Sequence, residues 1–499
     1  MPAPTQTLVE SKPRLANRIA QRWKEAIVAL FVLGFFLYFC GRALQVRFAL
    51  DEMMNMYWYW SAGIWRVGWS MLTFSNSVIR PMGALYYLLL FKMFGFNPLP
   101  FNVFRLTVLA VNAVIFFWLA ARISRSRVVA ATAIFVIAYH GDIGNIAYVG
   151  SFIYDALCGG FFFAALLYYM RYRGLYGRLN LGRSCVFLGL YICALNSKEM
   201  AVSLPVVIFA YELLYYGPKK WKIAEAKRWL SDSGPMLASI AITAVFIAVK
   251  TWGPGSITNA EGFRPVYTWA RFFETNVHYL NVIFYTESFS PYMVILIWAA
   301  LLYVALRNWD RRLLLLWVWV VVTPLPIAFI SGRGGACLYI VAAGWAMVVA
   351  ILVEALARVI AREPVFAKLP ANAVVTCVLL AGIVLYGYET EWFHHFREPG
   401  YLENGDKTWN LIQQFRELPL RPAHGSRIIF LNDPFPGCDT FFISSLWWSD
   451  HTLSIKLQDQ VNAGRRDGCN GGRHISDQEL AAMDYVFDFP DGRMKQVKP

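Results

Sequence analysis

EAIVALFVLGFFLYFCGRALQV, residues 25–46, runs through RFAL into Asp51-Glu52 and then MMNMYWYWSAGIW, residues 53–65. The first segment is an apolar run long enough to cross a bilayer as a helix, which takes about 20 residues. The two carboxylates stand where the chain leaves the membrane, at the head of an aromatic, amphipathic stretch. Adjacent acids at a membrane surface suit a general base acting on a lipid-borne substrate.

Working outward, the same apolar pattern recurs. The chain is 58% hydrophobic and 16% charged, with a mean hydropathy of +0.44; a soluble chain carries about 25% charged residues. Apolar runs near 25–44, 101–121, 128–146, 151–170, 184–197, 200–216, 234–252, 291–306, 313–331, 337–356 and 371–388 predict about eleven spans. The expected fold class is an all-α polytopic membrane protein. The first apolar run reads as a retained span, because residues 1–24 are polar and no small-residue cleavage site follows it.

The net charge is +14, and its distribution reports topology. Basic residues gather in alternate short loops, among them Arg122, Arg125 and Arg127; Arg171, Arg173, Arg178 and Arg183; Arg307, Arg311 and Arg312. The positive-inside rule reads these loops as cytoplasmic. The N-terminus is then cytoplasmic, and an odd span count puts the C-terminus outside, on the periplasmic face of a bacterial-type inner membrane. No basic groove with stacking aromatics appears, which speaks against nucleic acid.

Residues 1–388 are expected to form the membrane domain, with outer loops over about 45–100 and 253–290. Within the first loop, MGALYYLLLFKMF reads as a re-entrant or interfacial helix. In the tail, 389–499, apolar density falls and charge rises. There RIIFLND, HTLSIKL and YVFDF read as short strands and DTFFISSLWW as a helix or buried strand, giving a small α/β outer domain. Cys438 and Cys469 are the tail's two cysteines, read either as a disulfide or as two reduced thiols. No Cys/His cluster has zinc spacing. His394-His395 are adjacent, a poor chelate, and read as interfacial structure.

Polar residues collect at span ends on the outer side. Besides Asp51 and Glu52 these are Arg80, then His140 and Asp142, then Asp155, then Lys198-Glu199, then Arg333. Ionisable groups at membrane depth are costly and usually face an aqueous cavity or the bundle interior, so these sets read as the lining of one site. Lys198 and Glu199 are neighbours that do not face each other on a helix, so at least one needs another partner.

At these residues the chain resembles the GT-C superfamily of membrane glycosyltransferases, and within it the TMTC-type O-mannosyltransferases and their bacterial relatives. The similar pieces are Asp51-Glu52 after the first span, IRPMGALYYLLLFKMFGFNPLPFNVFRLTVLAVNAVIFF (79–117), AYHGDIGNIAYVGSFIYDAL (138–157) and LNSKEMAVSLPVVIFAYELL (195–214), with a weaker likeness in GRGGACLYIVAAGWA (332–346). The chain departs from the pattern at Gly141, where relatives usually have Pro. It also lacks the TPR repeats of the TMTC type and the WWD-type motif of oligosaccharyltransferases.

The resemblance implies a polyprenyl-phosphate-linked sugar as donor and an acceptor hydroxyl on a protein, lipid or polysaccharide. It implies Asp51 as general base with Glu52 in support, and Arg80, Lys198 or Arg333 against the departing phosphate. His140, Asp142, Asp155 and Glu199 would hold those cations or bind substrate. Some members use a divalent metal; with no separate metal cluster in the sequence, no cofactor is expected. Two other readings stay open: a ligase or polymerase of lipid-linked glycans, and a flippase or transporter, which would carry inverted repeats and broken helices near the midplane.

Overall fold

The computed structural model describes residues 36–498 apart from 75–79, 219, 221, 254–255, 260–262, 367–368, 436 and 459–475, together with residues 30, 33 and 34. Helices dominate. The stretch between the first two long apolar runs forms α1 (Leu50–Thr73) and α2 (Pro81–Phe94). The bundle follows as α3 (Pro98–Ser124), α4 (Arg127–Ala138), α5 (Ile153–Tyr176), α6 (Leu181–Leu195), α7 (Leu204–Tyr216), α8 (Ile223–Asp232) and α9 (Gly234–Thr251). Its second part is α10 (Trp269–Ile283), α11 (Pro291–Arg307), α12 (Arg311–Val322), α13 (Tyr339–Ile360) and α14 (Ala371–Glu403).

Among the described residues, six helices are long and apolar enough to cross a membrane; four shorter apolar helices lie beside them. The expected polytopic helical fold is present; the run expected over 25–44 lies largely outside the described residues, and some other runs are shorter than expected. The run expected over 128–146 is helical to Ala138 and resumes only as a single turn at Asn145–Tyr148, and that over 313–331 is α-helical to Val322 with only a 3-10 turn after it. Twelve residues of helix rise about 18 Å, short of the roughly 30 Å hydrocarbon layer. The chain beyond each helix is irregular and rich in Gly and Pro, and residues 325–333 turn into a cavity. Irregular backbone at membrane depth is tolerated where it lines such a cavity or is buried in protein.

The helix that starts at Ala371 runs on to Glu403, past the expected end of the last span at 388. After it come α15 (Asp406–Glu417), β1 (Arg427–Leu431), α16 (Asp439–Trp448), β2 (Ser454–Leu457), α17 (Asp477–Ala481), β3 (Tyr485–Asp488) and β4 (Lys495–Lys498). The sheet order is β2-β1-β3-β4, with β1 parallel to β2 and β3, and β3 antiparallel to β4. Parallel neighbours need a crossover, and DTFFISSLWW supplies it between β1 and β2 as helix α16. The three expected strands are present; β4 escaped the sequence reading because KQVK is polar and exposed throughout. Cys438 is disulfide-bonded; Cys469 lies outside the described residues.

The tail packs on α1 and the residues just before it. Tyr57 of α1 sits 5.0 Å from the Phe441 ring and 5.3 Å from the Phe442 ring of α16. Trp60 stacks on His451 at 3.7 Å, and Arg47 pairs with Asp406 at 2.6 Å.

At the other end of the bundle a buried ion pair ties α5 to α7. Arg173 reaches Glu212 at 2.7 and 2.9 Å, and Tyr169 and Ser233 donate to the same carboxylate. Removing one partner of a buried pair typically costs about 3–5 kcal/mol, because the other charge is stranded. Glu212→Ala is expected to lower the melting temperature of the purified protein in detergent markedly. An unchanged melting curve would show that the pair holds nothing together.

Candidate functional site

The two carboxylates of the opening motif occupy the first turn of α1, where the helix dipole favours negative charge. Successive helical residues point about 100° apart, so the pair divides. Asp51 is exposed and lines a cavity of about 630 Å³. Glu52 turns inward, 3% exposed, and accepts from the Ala49 amide at 3.0 Å. A Cβ at Gly150 would collide with both Glu52 and the Arg105 guanidinium, which meet over this glycine.

Arg105 in turn donates to Ala147 O at 3.1 Å and to Asn102 Oδ1 at 2.8 Å, and Asn102 donates to Val46 O at 2.8 Å. FNVFR on α3 thus anchors the segment that leads into α1. Glu52 belongs to that anchor and is not among the cavity-lining residues. Burial pushes its carboxyl up to about 7 against the opposing pull of Arg105.

Four of the expected cationic and acidic positions meet in two pairs on the cavity wall. Arg80, the residue before α2, pairs with Glu199 at 3.1 Å and lies 5.1 Å over the Tyr154 ring. Lys198 pairs with Asp155 at 2.6 and 2.7 Å and donates to Cys337 Sγ at 3.3 Å. The adjacent Lys198 and Glu199 therefore serve different partners on different elements. Arg333 also lines the cavity, its guanidinium 4.4 Å over the Phe263 ring.

Lys250, in the last turn of α9, is a lining residue that the sequence reading passed over. It is 6% exposed, with its ammonium 5.8 Å from the Phe246 ring. The signal was present in AITAVFIAVKTW: a lysine inside an apolar span is itself a pointer to a site.

His140 and Asp142 stand apart from the cavity. His140 Nε2 lies 2.9 Å from Ile283 O, while Nδ1 accepts from the Ile143 amide at 3.3 Å. Both ring nitrogens are spent, with Nε2 the donor, and the ring stacks on Tyr285 at 4.4 Å. Asp142 pairs with Arg397 of α14. These two residues fasten an irregular loop to two helices, α10 and α14; the sequence placed them with the site because they too sit at a span end.

The tail contributes charge near Asp51. Asp439, in the first turn of α16, is fully buried and accepts from Thr408 Oγ at 2.6 Å. Burial pushes Asp439 up to about 7, with the Asp433 and Asp51 charges adding to the rise. Burial also pushes Asp433 up to about 6.

No family model and no curated protein matches this chain. Among solved structures, that of ArnT from Cupriavidus metallidurans bound to undecaprenyl phosphate is similar over 93% of each chain, at 12% identity and a TM-score of 0.49. A likeness of that size speaks to neither chemistry nor substrate.

Asp439 titrates above its ordinary value of 3.8, so the folded chain holds an extra proton between about pH 4 and 7. Stability attached to this group therefore falls as pH rises through that window. Asp439→Asn, which can still accept from Thr408, is expected to flatten the fall and raise the melting temperature at pH 8 relative to pH 5. Coincident wild-type and mutant pH profiles would contradict this.

Proposed function

We propose that the chain is a GT-C-type glycosyltransferase that moves a sugar from a polyprenyl-phosphate donor to an acceptor hydroxyl at the outer face of the membrane, with inversion. The observation that carries this reading is the single cavity in which Asp51 faces Arg80, Lys198, Lys250 and Arg333. Its volume suits a small ligand, for which pockets run about 300–1,000 Å³.

The chemistry follows from these groups. Asp51 accepts the proton of the acceptor hydroxyl as its oxygen attacks the anomeric carbon. The bond from that carbon to the phosphate oxygen breaks on the opposite face, and the lipid phosphate leaves with the electron pair. Preorganised cations stabilise charge that develops on a leaving group. Glu199 and Asp155 hold Arg80 and Lys198 in place for that task, at 3.1 and 2.6 Å. Glu52 acts one step back by fixing the turn that presents Asp51.

The cavity's position supports transfer over transport. Its charged residues come from the starts of α1, α2 and α5, the end of α9 and the stretches leading into α7 and α13. All lie at the end of the bundle opposite the arginine-rich turns, which the positive-inside rule reads as cytoplasmic. The N-terminus is then cytoplasmic, and the tail shares the outer face with the cavity.

The test is release of lipid phosphate by the purified protein from a panel of polyprenyl-phosphate sugars, with hydroxyl acceptors of protein, lipid and polysaccharide. Asp51→Asn is expected to lower transfer about 10²–10⁴-fold, the range for a lost general base, while donor binding persists. Near-normal transfer by that variant would remove Asp51 as the base. Absence of release from every donor would remove the transferase reading.

A further inference from the structure

At the bundle end opposite the cavity, α5 finishes at Tyr176 and α6 begins at Leu181. The turn between them carries Arg178, with Arg171 in the last two turns of α5 and Arg183 in the first turn of α6. From Ala156 to Lys198 the sequence contains no Asp or Glu. Arg173, on the same stretch, is buried and spent on Glu212. The other three are not: among the described residues, no carboxylate pairs with Arg171, Arg178 or Arg183.

Two tyrosines hold Arg171 and Arg183 of this group in order. Tyr172 and Tyr176 lie parallel, with centroids 6.1 Å apart and 9° between planes. The Arg183 guanidinium sits 3.7 Å over the Tyr176 ring and 5.2 Å from the Tyr172 ring; Arg171 approaches Tyr172 at 5.9 Å. Stacking on an aromatic face restrains a guanidinium while leaving its in-plane N–H donors available. Beside them Leu175 and Leu181 are 62% and 81% exposed. Donors for a phosphate next to bare aliphatic side chains match a lipid headgroup with its acyl chains. A soluble phosphate would use the arginines but not the leucines.

We propose that the α5–α6 turn is a binding site for an anionic phospholipid of the leaflet opposite the cavity. Arg171, Arg178 and Arg183 hold its phosphate, and its acyl chains lie over Leu175 and Leu181. Basic clusters at the cytoplasmic ends of spans attract anionic lipids in this way. The site is independent of the chemistry at Asp51.

The experiment is native mass spectrometry of the detergent-purified full chain with added phosphatidylglycerol, phosphatidylcholine or inorganic phosphate. Phosphatidylglycerol is expected to be retained about tenfold or more over phosphatidylcholine. The triple variant Arg171→Gln, Arg178→Gln, Arg183→Gln should lose that preference. A control triple, Arg307→Gln, Arg311→Gln, Arg358→Gln, should keep it. Should the first triple not fold, Arg183→Gln alone should reduce retention while eluting as a single species. The proposal is overturned by equal retention of the two lipids or by undiminished binding in the folded arginine variants. Equal loss in the control triple, or displacement of the lipid by inorganic phosphate at equal concentration, overturns it as well.

Discussion

A lysine and an aspartate from separate elements meet at 2.6 Å on the cavity wall, and the arrangement of the site depends on that contact. An ammonium or carboxylate taken out of water costs several kcal/mol unless it is paired. Lys198 precedes α7, and Asp155 lies in the first turn of α5. Pairing them fixes the ends of two helices against each other and turns Glu199, the next residue, toward Arg80. Two cations are thereby held in a cavity where neither could be placed alone.

The same logic explains the division of Asp51 and Glu52. One carboxylate is kept for the cavity; the other is buried within reach of the Arg105 charge and caps the first turn of α1 through the Ala49 amide. The tail adds a second hold on α1 through Tyr57, Trp60 and Arg47, and brings Asp439 close enough to Asp51 to feel its charge. Domain and bundle therefore share responsibility for where Asp51 stands. A change in the tail can reach the cavity through α1 without touching it.

Much of this was legible in the sequence, and for physical reasons. Long apolar runs declare themselves because a span must satisfy its backbone and bury its side chains in hydrocarbon. Short runs rich in β-branched and aromatic residues in RIIFL and YVFD marked strands, whose middle residues are buried on both faces. Asp155, Lys198, Glu199, Arg80 and Arg333 stood out because charge beside apolar sequence is expensive. That signal marks a buried charge without naming its purpose. It drew in His140 and Asp142, which fasten a loop to the end of α10 and to α14, and Lys250 was overlooked because it sat inside a run read as a span.

By itself the sequence determined the helical membrane class, the alternation of basic turns and the elements of the tail, since each is a local pattern of polarity repeated along the chain. Only the tertiary structure decided which charges share a cavity. Pairing depends on distances between residues such as Asp155 and Lys198, 43 positions apart, and no local pattern encodes a partner. It decided too that Asp51 and Glu52, adjacent in sequence, face opposite ways: a helix rotates each residue about 100° from the last, and packing chooses which direction is the cavity.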